Sequence, residues 1–322
     1  MHQLFNISNN LQTNITPMLG DIQWRSDINE LGEQLDFNIA FNDDRYFPMN
    51  PVDIGNIISL TNEEEIFRGI VVSEQRNGRG AVSYTSFDYA FYLNKSSGIY
   101  QFNRVPAKKA IETILKDFEV PIGSITEIPT IINKIFNERL ISDIIKEIIT
   151  IAEDEQGIKY RLEMKQGKLY ISKQEDLIIK AAFKLADNIQ PYDILSSISN
   201  PSRKRTIENM KNSIKLVFDN KVIAQEKKND LIDKYGLLQE VKTVDKKDKA
   251  QAKNIAKKKL EELGKIFEDN SLEMIGNDNV RAERIIEIEE PITGITGQYL
   301  IKSANHTLKN GIHRMQLTLE VK

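Results

Sequence analysis

The sequence predicts an α+β, β-rich chain: two small β-barrel-like domains with a mixed α/β domain between them. Three observations carry this. Short segments with period-2 apolar alternation dominate residues 1–100 and return after residue 191. From about residue 101 the apolar spacing changes to i, i+3, i+4, i+7. The chain has 322 residues, beyond one typical domain of ~100–200. The expected division is therefore 1–100, 101–190 and 191–322.

In the first block, Leu35, Phe37, Ile39 and Phe41 share one strand face, with Asp36, Asn38 and Ala40 on the other. Ile22-Gln23-Trp24-Arg25 and Ile66-Phe67-Arg68-Gly69-Ile70-Val71-Val72 read as further strands. Pro48, Pro51 and Gly55 break the runs. Asn77-Gly78 signals a hairpin between Val71-Val72 and Val82-Ser83-Tyr84. Many short, closely spaced strands point to a small barrel or sandwich.

Pro106 opens the second block, since its missing N–H costs nothing in a first helical turn. Ile111, Ile114, Leu115 and Phe118 form the apolar face of that helix. A second helix is expected over about 140–156, burying Ile141, Ile144, Ile145, Ile148, Ile149 and Ala152 and stopping at Gly157. A hairpin around Gln166-Gly167 then joins 158–162 to 169–171.

The third block has strands at 213–218 and 237–241, then a helix over about 246–265. The buried stripe of that helix is Ala252, Ile255, Ala256, Leu260, Leu263 and Phe267. In the last hairpin Met315, Leu317, Leu319 and Val321 define a core face. A two-residue Asn310-Gly311 turn would oppose them with His306, Ala304, Lys302 and Leu300. A three-residue loop would oppose them with Asn305, Ser303, Ile301 and Tyr299, and this register is preferred because it buries Tyr299 and Ile301.

Composition excludes several chemistries. There are no cysteines, so disulfides, thiolate metal sites and cysteine nucleophiles are out. A net charge of −3 argues against nucleic acid as the main partner. The first residues lack a basic n-region and an apolar run, so no secretory signal is expected. No stretch approaches the ~18 apolar residues of a membrane span, so no membrane insertion is expected.

Candidate chemistry is sparse. The chain has three histidines, His2, His306 and His313. In the preferred register His306 and His313 point to opposite faces and cannot share an ion, and no third zinc ligand is spaced nearby. Glu153-Asp154-Glu155 and Glu287, Glu289 and Glu290 are the dense carboxylate clusters. The first reads as solvated at a helix end and the second as a half-exposed strand, with a hydrolytic carboxylate pair as the alternative. Asn77-Gly78-Arg79-Gly80 lacks the strand–loop–helix setting of a phosphate loop. Arg203-Lys204-Arg205 reads as a loop, and Lys247, Lys249, Lys253, Lys257, Lys258, Lys259 and Lys265 as the solvated face of the long helix. No catalytic, cofactor-binding or metal residue is assigned, and no cofactor is expected.

Several phrases follow one another along the chain: Gly55-Asn56-Ile57-Ile58-Ser59-Leu60; Phe67-Arg68-Gly69-Ile70-Val71; Phe87-Asp88-Tyr89-Ala90-Phe91-Tyr92-Leu93-Asn94-Lys95; the helix at Ala107–Leu115, then Gly157 with Tyr160-Arg161, and Gly167-Lys168-Leu169-Tyr170-Ile171; Ile207 to Ile214; Tyr235-Gly236-Leu237-Leu238-Gln239-Glu240-Val241; and Asn305-His306 with Met315-Gln316-Leu317. Taken together, they make the chain resemble the XkdQ/YqbQ-type hub proteins of defective prophages and phage-tail-like bacteriocins. Those proteins are related to late control protein D and to the baseplate hubs of contractile-tailed phages.

The resemblance implies a non-enzymatic structural part of a contractile particle. It implies a homotrimer that joins tail tube to central spike as a symmetry adaptor and contacts other baseplate proteins. It also implies assembly in the bacterial cytoplasm, then release within the particle. A peptidoglycan-active hydrolase of the tail tip, or a glycan- or nucleic-acid-binding module, are the competing readings.

Overall fold

The computed structural model describes residues 1–40, 49–179, 182–183, 192–193, 198–244, 249 and 252–321. Phe41, Pro48, Lys247 and the expected 190/191 boundary lie outside them. The chain forms two compact units, residues 1–201 with 271–322, and residues 202–270.

The first unit is built on a 13-stranded sheet. Its path runs from Ser199–Thr206 through Phe267–Ile275, Ile312–Val321, Ile295–Lys309, Leu19–Asp27, Gln34–Ile39, Val82–Asp88, Glu64–Arg76, Ile57–Asn62 and Gln3–Ser8 to Leu11–Asn14. The early and late strands are hydrogen-bonded neighbours, with Ile22 opposite Leu308 and Trp24 opposite His306. Among the described residues no ladder closes this path into a barrel. The fold is α+β and β-rich, as expected.

Alternation explains the N-terminal strands. Ile22 and Trp24, Leu35, Phe37 and Ile39, and Val82 and Tyr84 all turn inward, onto Leu4, Ile15, Ile58 and Leu60. Each such side chain contributes about 1.5–3 kcal/mol by leaving water. The Asn77-Gly78 hairpin forms, pairing Arg76 with Val82 and Val71 with Ser86. Gly69 is obligatory there, because a Cβ would lie 2.2 Å from the Phe87 carbonyl oxygen.

The helices Ala107–Asp117 and Ile141–Gln156 sit where their spacing places them, and Ile111, Ile114, Leu115, Ile144, Ile145 and Ile148 are fully buried. Pro106 caps the first helix from outside its first turn. Gly157 ends the second in the left-handed region, φ +70°. Around them lie a two-stranded pair, Ser97–Pro106 with Ile131–Leu140, and a sheet of Tyr160–Lys165, Lys168–Lys173 and Ile122–Ile125. The first pair was not expected from sequence. Register shifts between Ile132 and Lys134 and between Phe136 and Arg139 erase its alternation.

In the second unit, Lys221–Lys227, Ser213–Phe218 and Gln239–Thr243 form a sheet covered by the helix Ala252–Leu263. Ala252, Ala256 and Leu260 are buried on Ile214 and Leu216. Phe267, expected on that helix, instead opens the strand Phe267–Ile275. The short helix Asn229–Tyr235 buries no residue, so no apolar stripe announces it. Arg203-Lys204-Arg205 is strand and not loop, because Glu268 on the adjacent strand pairs with both Arg203 (2.9 Å) and Arg205 (3.3 Å).

The last hairpin uses both registers considered. At its tip, Lys309 faces Ile312 across a two-residue turn, with Asn310 at φ +51° and Gly311 at φ +76°. His306 therefore faces Met315. An irregularity between Ile301 and Ser303 then shifts the pairing, and Ile301 faces Leu319 and Tyr299 faces Val321, as preferred. The single loop expected for the whole hairpin is corrected by this bulge at Lys302. It lets Tyr299 and Ile301 point inward at one end and Ala304 and His306 at the other.

Candidate functional site

The bulge has a chemical result. With the tip in the two-residue register, His306 and His313 face the same side. Their rings approach, with His306 Nδ1 3.0 Å from His313 Nε2. The expectation that they point to opposite faces is overturned.

All three histidines of the chain gather here. His2, just before the strand Gln3–Ser8, places Nε2 2.9 Å from Asp278 Oδ1. His313 Nδ1 lies 3.5 Å from the same oxygen. Asn62 donates its amide to Asp278 Oδ2 at 2.8 Å. Trp24 stacks on His306 with ring centroids 4.8 Å apart and planes 3° from parallel.

His2 belongs to one end of the sheet path and His313 lies towards the other. The sheet therefore curls until these strands approach side chain to side chain, without a backbone ladder between them.

The tautomers follow from the partners. The Val280 carbonyl can only accept, so His306 donates to it from Nε2 at 2.9 Å. His306 Nδ1 is then an acceptor, and His313 donates to it from Nε2. Burial pushes His306 down to about 3, helped by the neighbouring His313. Burial also lowers His313, to about 4, against the pull of Asp278. Burial works to raise Asp278, but hydrogen bonds from His2 and Asn62 outweigh it and hold the carboxyl below its usual range.

Among the described residues, His2, Asp278 and His313 form a group of metal-ligand type, with their ligand atoms within 4.8 Å of one another. Sequence spacing missed them because residues 2, 278 and 313 meet only through the curl of the sheet.

A second buried polar cluster joins five segments, around Glu33, Ile66, Asp88, Arg161 and Arg281. Arg281 donates to Glu33 Oε1 at 2.9 Å, to the Ile66 carbonyl at 2.5 Å and to the Met164 carbonyl at 3.3 Å. Arg161 donates to the Ala282 carbonyl and to Glu163, and Arg284 to Glu163 at 3.1 Å. Burial raises Glu33, with Arg281 opposing. Asp88 accepts the backbone N–H groups of Glu33 and Ala90. Burial and then Glu33 push it up to about 8. The pocket beside it, lined by Glu33, Arg161, Glu163 and Ala282, holds only about 20 Å³, so this cluster reads as an internal tie.

One member of each expected carboxylate cluster is engaged locally. Glu153, read as solvated, is largely covered and accepts from the Tyr160 backbone and Lys159 Nζ. Glu287 and Glu289 are exposed, whereas Glu290 is buried and takes the N–H groups of Ile292 and Thr293. Among the described residues no helix is long and apolar enough to cross a membrane.

This architecture is similar to that of a solved phage tail protein. It matches the 43 kDa tail protein of prophage MuSo2 from Shewanella oneidensis with a TM-score of 0.71 over 99% of this chain and 98% of that one. At 9% identity the likeness is one of fold. The chain belongs to the YQBQ-like family, which it matches over residues 22–320. It is 29% identical to YqbQ of Bacillus subtilis (strain 168) over 259 residues, 79% of this chain and 77% of YqbQ. It is also 26% identical over 280 residues to the phage-like element PBSX protein XkdQ of the same strain, covering 85% and 83% of the two chains. The family indicated by the ordered phrases is the family found.

Proposed function

We propose that this protein is a structural hub of a contractile phage-tail-like particle, joining tail tube to central spike. The observation that carries the reading is the likeness to PBSX XkdQ over 85% of the chain. It is supported by the whole-length fold match to a prophage tail protein.

In this reading the hub is a homotrimer. Residues 1–100 and 191–322 supply two barrel-like domains, and 101–190 the α/β domain between them. Two similar domains per chain would offer six near-equivalent contacts to the tube and three to the spike. Separate apolar cores at 4–84 and 272–319 fall within the first and third of these blocks, while a core spanning 31–171 centres on the second and a fourth, at 214–260, belongs to the compact unit 202–270. Of the carboxylates behind the hydrolase reading, Glu153 and Glu290 accept backbone N–H groups.

Light scattering across a concentration series tests the oligomer, with a three-fold mass expected. Mass spectrometry of particles purified from the source strain tests the assignment, with about three copies per tail expected. Particles that form normally without the chain overturn it.

A further inference from the structure

We propose that His2 Nε2, Asp278 Oδ1 and His313 Nδ1 bind a divalent transition-metal ion that clasps the seam of the curled sheet. A hydrogen-bond chain in this cluster ends in a bare nitrogen. The Val280 carbonyl fixes the proton of His306 on Nε2. His306 Nδ1 therefore offers a lone pair, which fixes the proton of His313 on Nε2. His313 Nδ1 then points an unshared pair at the carboxylate oxygen of Asp278, 3.5 Å away. Two electron-rich atoms face each other at that distance, and the arrangement calls for a cation between them.

The rest of the cluster has the anatomy of a metal centre. Metal-bound histidines hand their other N–H to an acceptor, which fixes ring orientation and raises basicity. His313 does this toward His306, and His306 is itself locked between Val280 and the Trp24 ring. Asp278 is oriented by Asn62 through its other oxygen. Two imidazoles and a carboxylate suit zinc and neighbouring first-row divalent ions. A tetrahedral zinc with bonds of ~2.0–2.1 Å spaces its donors roughly 3.4 Å apart. The donors here already lie at 2.9 and 3.5 Å around Asp278 and within 4.8 Å overall. On binding, neutral His2 carries its proton on Nδ1, and water completes the fourth position.

The position gives the ion a structural task. His2 precedes the strand Gln3–Ser8, Asn62 ends Ile57–Asn62, and His313 lies in Ile312–Val321. Among the described residues no backbone ladder joins the first two strands to the third. A metal bond there replaces the missing ladder.

The test uses the untagged full chain, stripped with chelator and titrated with zinc chloride against a chromophoric competitor. One ion per chain is expected, together with a rise in Tm. The fluorescence of Trp24, the single tryptophan, should change with the same stoichiometry, because its ring lies 4.8 Å from both His306 and His313. Asp278→Asn and His313→Gln should each abolish stoichiometric binding while keeping the wild-type circular dichroism spectrum. His306→Asn should weaken binding by about 10–100-fold. Absence of stoichiometric binding to the wild-type chain overturns the proposal. So does binding that survives Asp278→Asn and His313→Gln, which would place the ion on the chain's N-terminal residues alone. Either result leaves the hub assignment standing, because that assignment is tested by particle composition.

Discussion

Nδ1 of His306 lies 3.0 Å from Nε2 of His313, across a two-residue turn, and both rings point inward. This contact exists because a bulge at Lys302 lets one strand pair Ile301 with Leu319 and still set His306 opposite Met315. A hairpin in either single register would sacrifice one of the two.

His306→Leu should therefore cost about 2–3 kcal/mol in chemical denaturation. It orphans the Val280 carbonyl and the His313 N–H, at about 1–3 kcal/mol for each buried unpaired group. A loss below about 1 kcal/mol would mean that these groups find other partners.

The pH dependence of two variants should run in opposite directions. In metal-free protein His313 sits near 4 when folded and about 6.5 when unfolded. Between those values the unfolded chain binds the extra proton, so stability is lost as pH falls through the window. The advantage of the wild type over His313→Gln should grow by up to about 1.4 kcal/mol per unit from pH 4 to 6.5. Asp88 is the reverse: raised to about 8, against about 3.9 unfolded, it holds its proton in the folded state. Its contribution is complete below pH ~3.9 and fades as pH rises through about 8. The wild-type advantage over Asp88→Asn should shrink accordingly. Differences independent of pH would refute both assignments.

Arg281→Met should destabilise the fold by about 3–5 kcal/mol, because it leaves Glu33 buried beside the orphaned carbonyls of Ile66 and Met164. Adding Glu33→Leu should restore part of the loss by removing the stranded carboxyl. A double variant whose loss equals the sum of the two single losses would show that Arg281 and Glu33 are not coupled.

Gly276→Ala should be costly in a way that its small size conceals. A Cβ there would lie 2.1 Å from the His313 ring, so the imidazole must leave its place against Trp24. The expected loss is about 1–3 kcal/mol, with a change in tryptophan emission. Unchanged emission would show that the ring yields without leaving.

Much of the fold was legible from local rules. The two α/β-block helices, the stop at Gly157 and the hairpin at Asn77-Gly78 each follow from a few adjacent residues. What was not legible depends on distant partners or on broken periodicity. Bulges hid the Ser97–Pro106 and Ile131–Leu140 pair. The Arg203-Lys204-Arg205 strand looked like a loop because Glu268, its partner, is 65 residues away from Arg203. The histidine cluster was missed for both reasons at once. One bulge reversed the face of His306, and the remaining ligands, His2 and Asp278, stand 276 residues apart in sequence.

The pairing of Ile22 with Leu308 also sets a clock. At roughly 5–20 residues per second on the ribosome, Ile22 waits on the order of tens of seconds before its partner is made. Until then one edge of the strand Leu19–Asp27 stays open, and every ladder beyond it is incomplete. A nascent or truncated chain therefore cannot present the finished sheet. Anything that recognises that sheet would be shielded from unfinished copies.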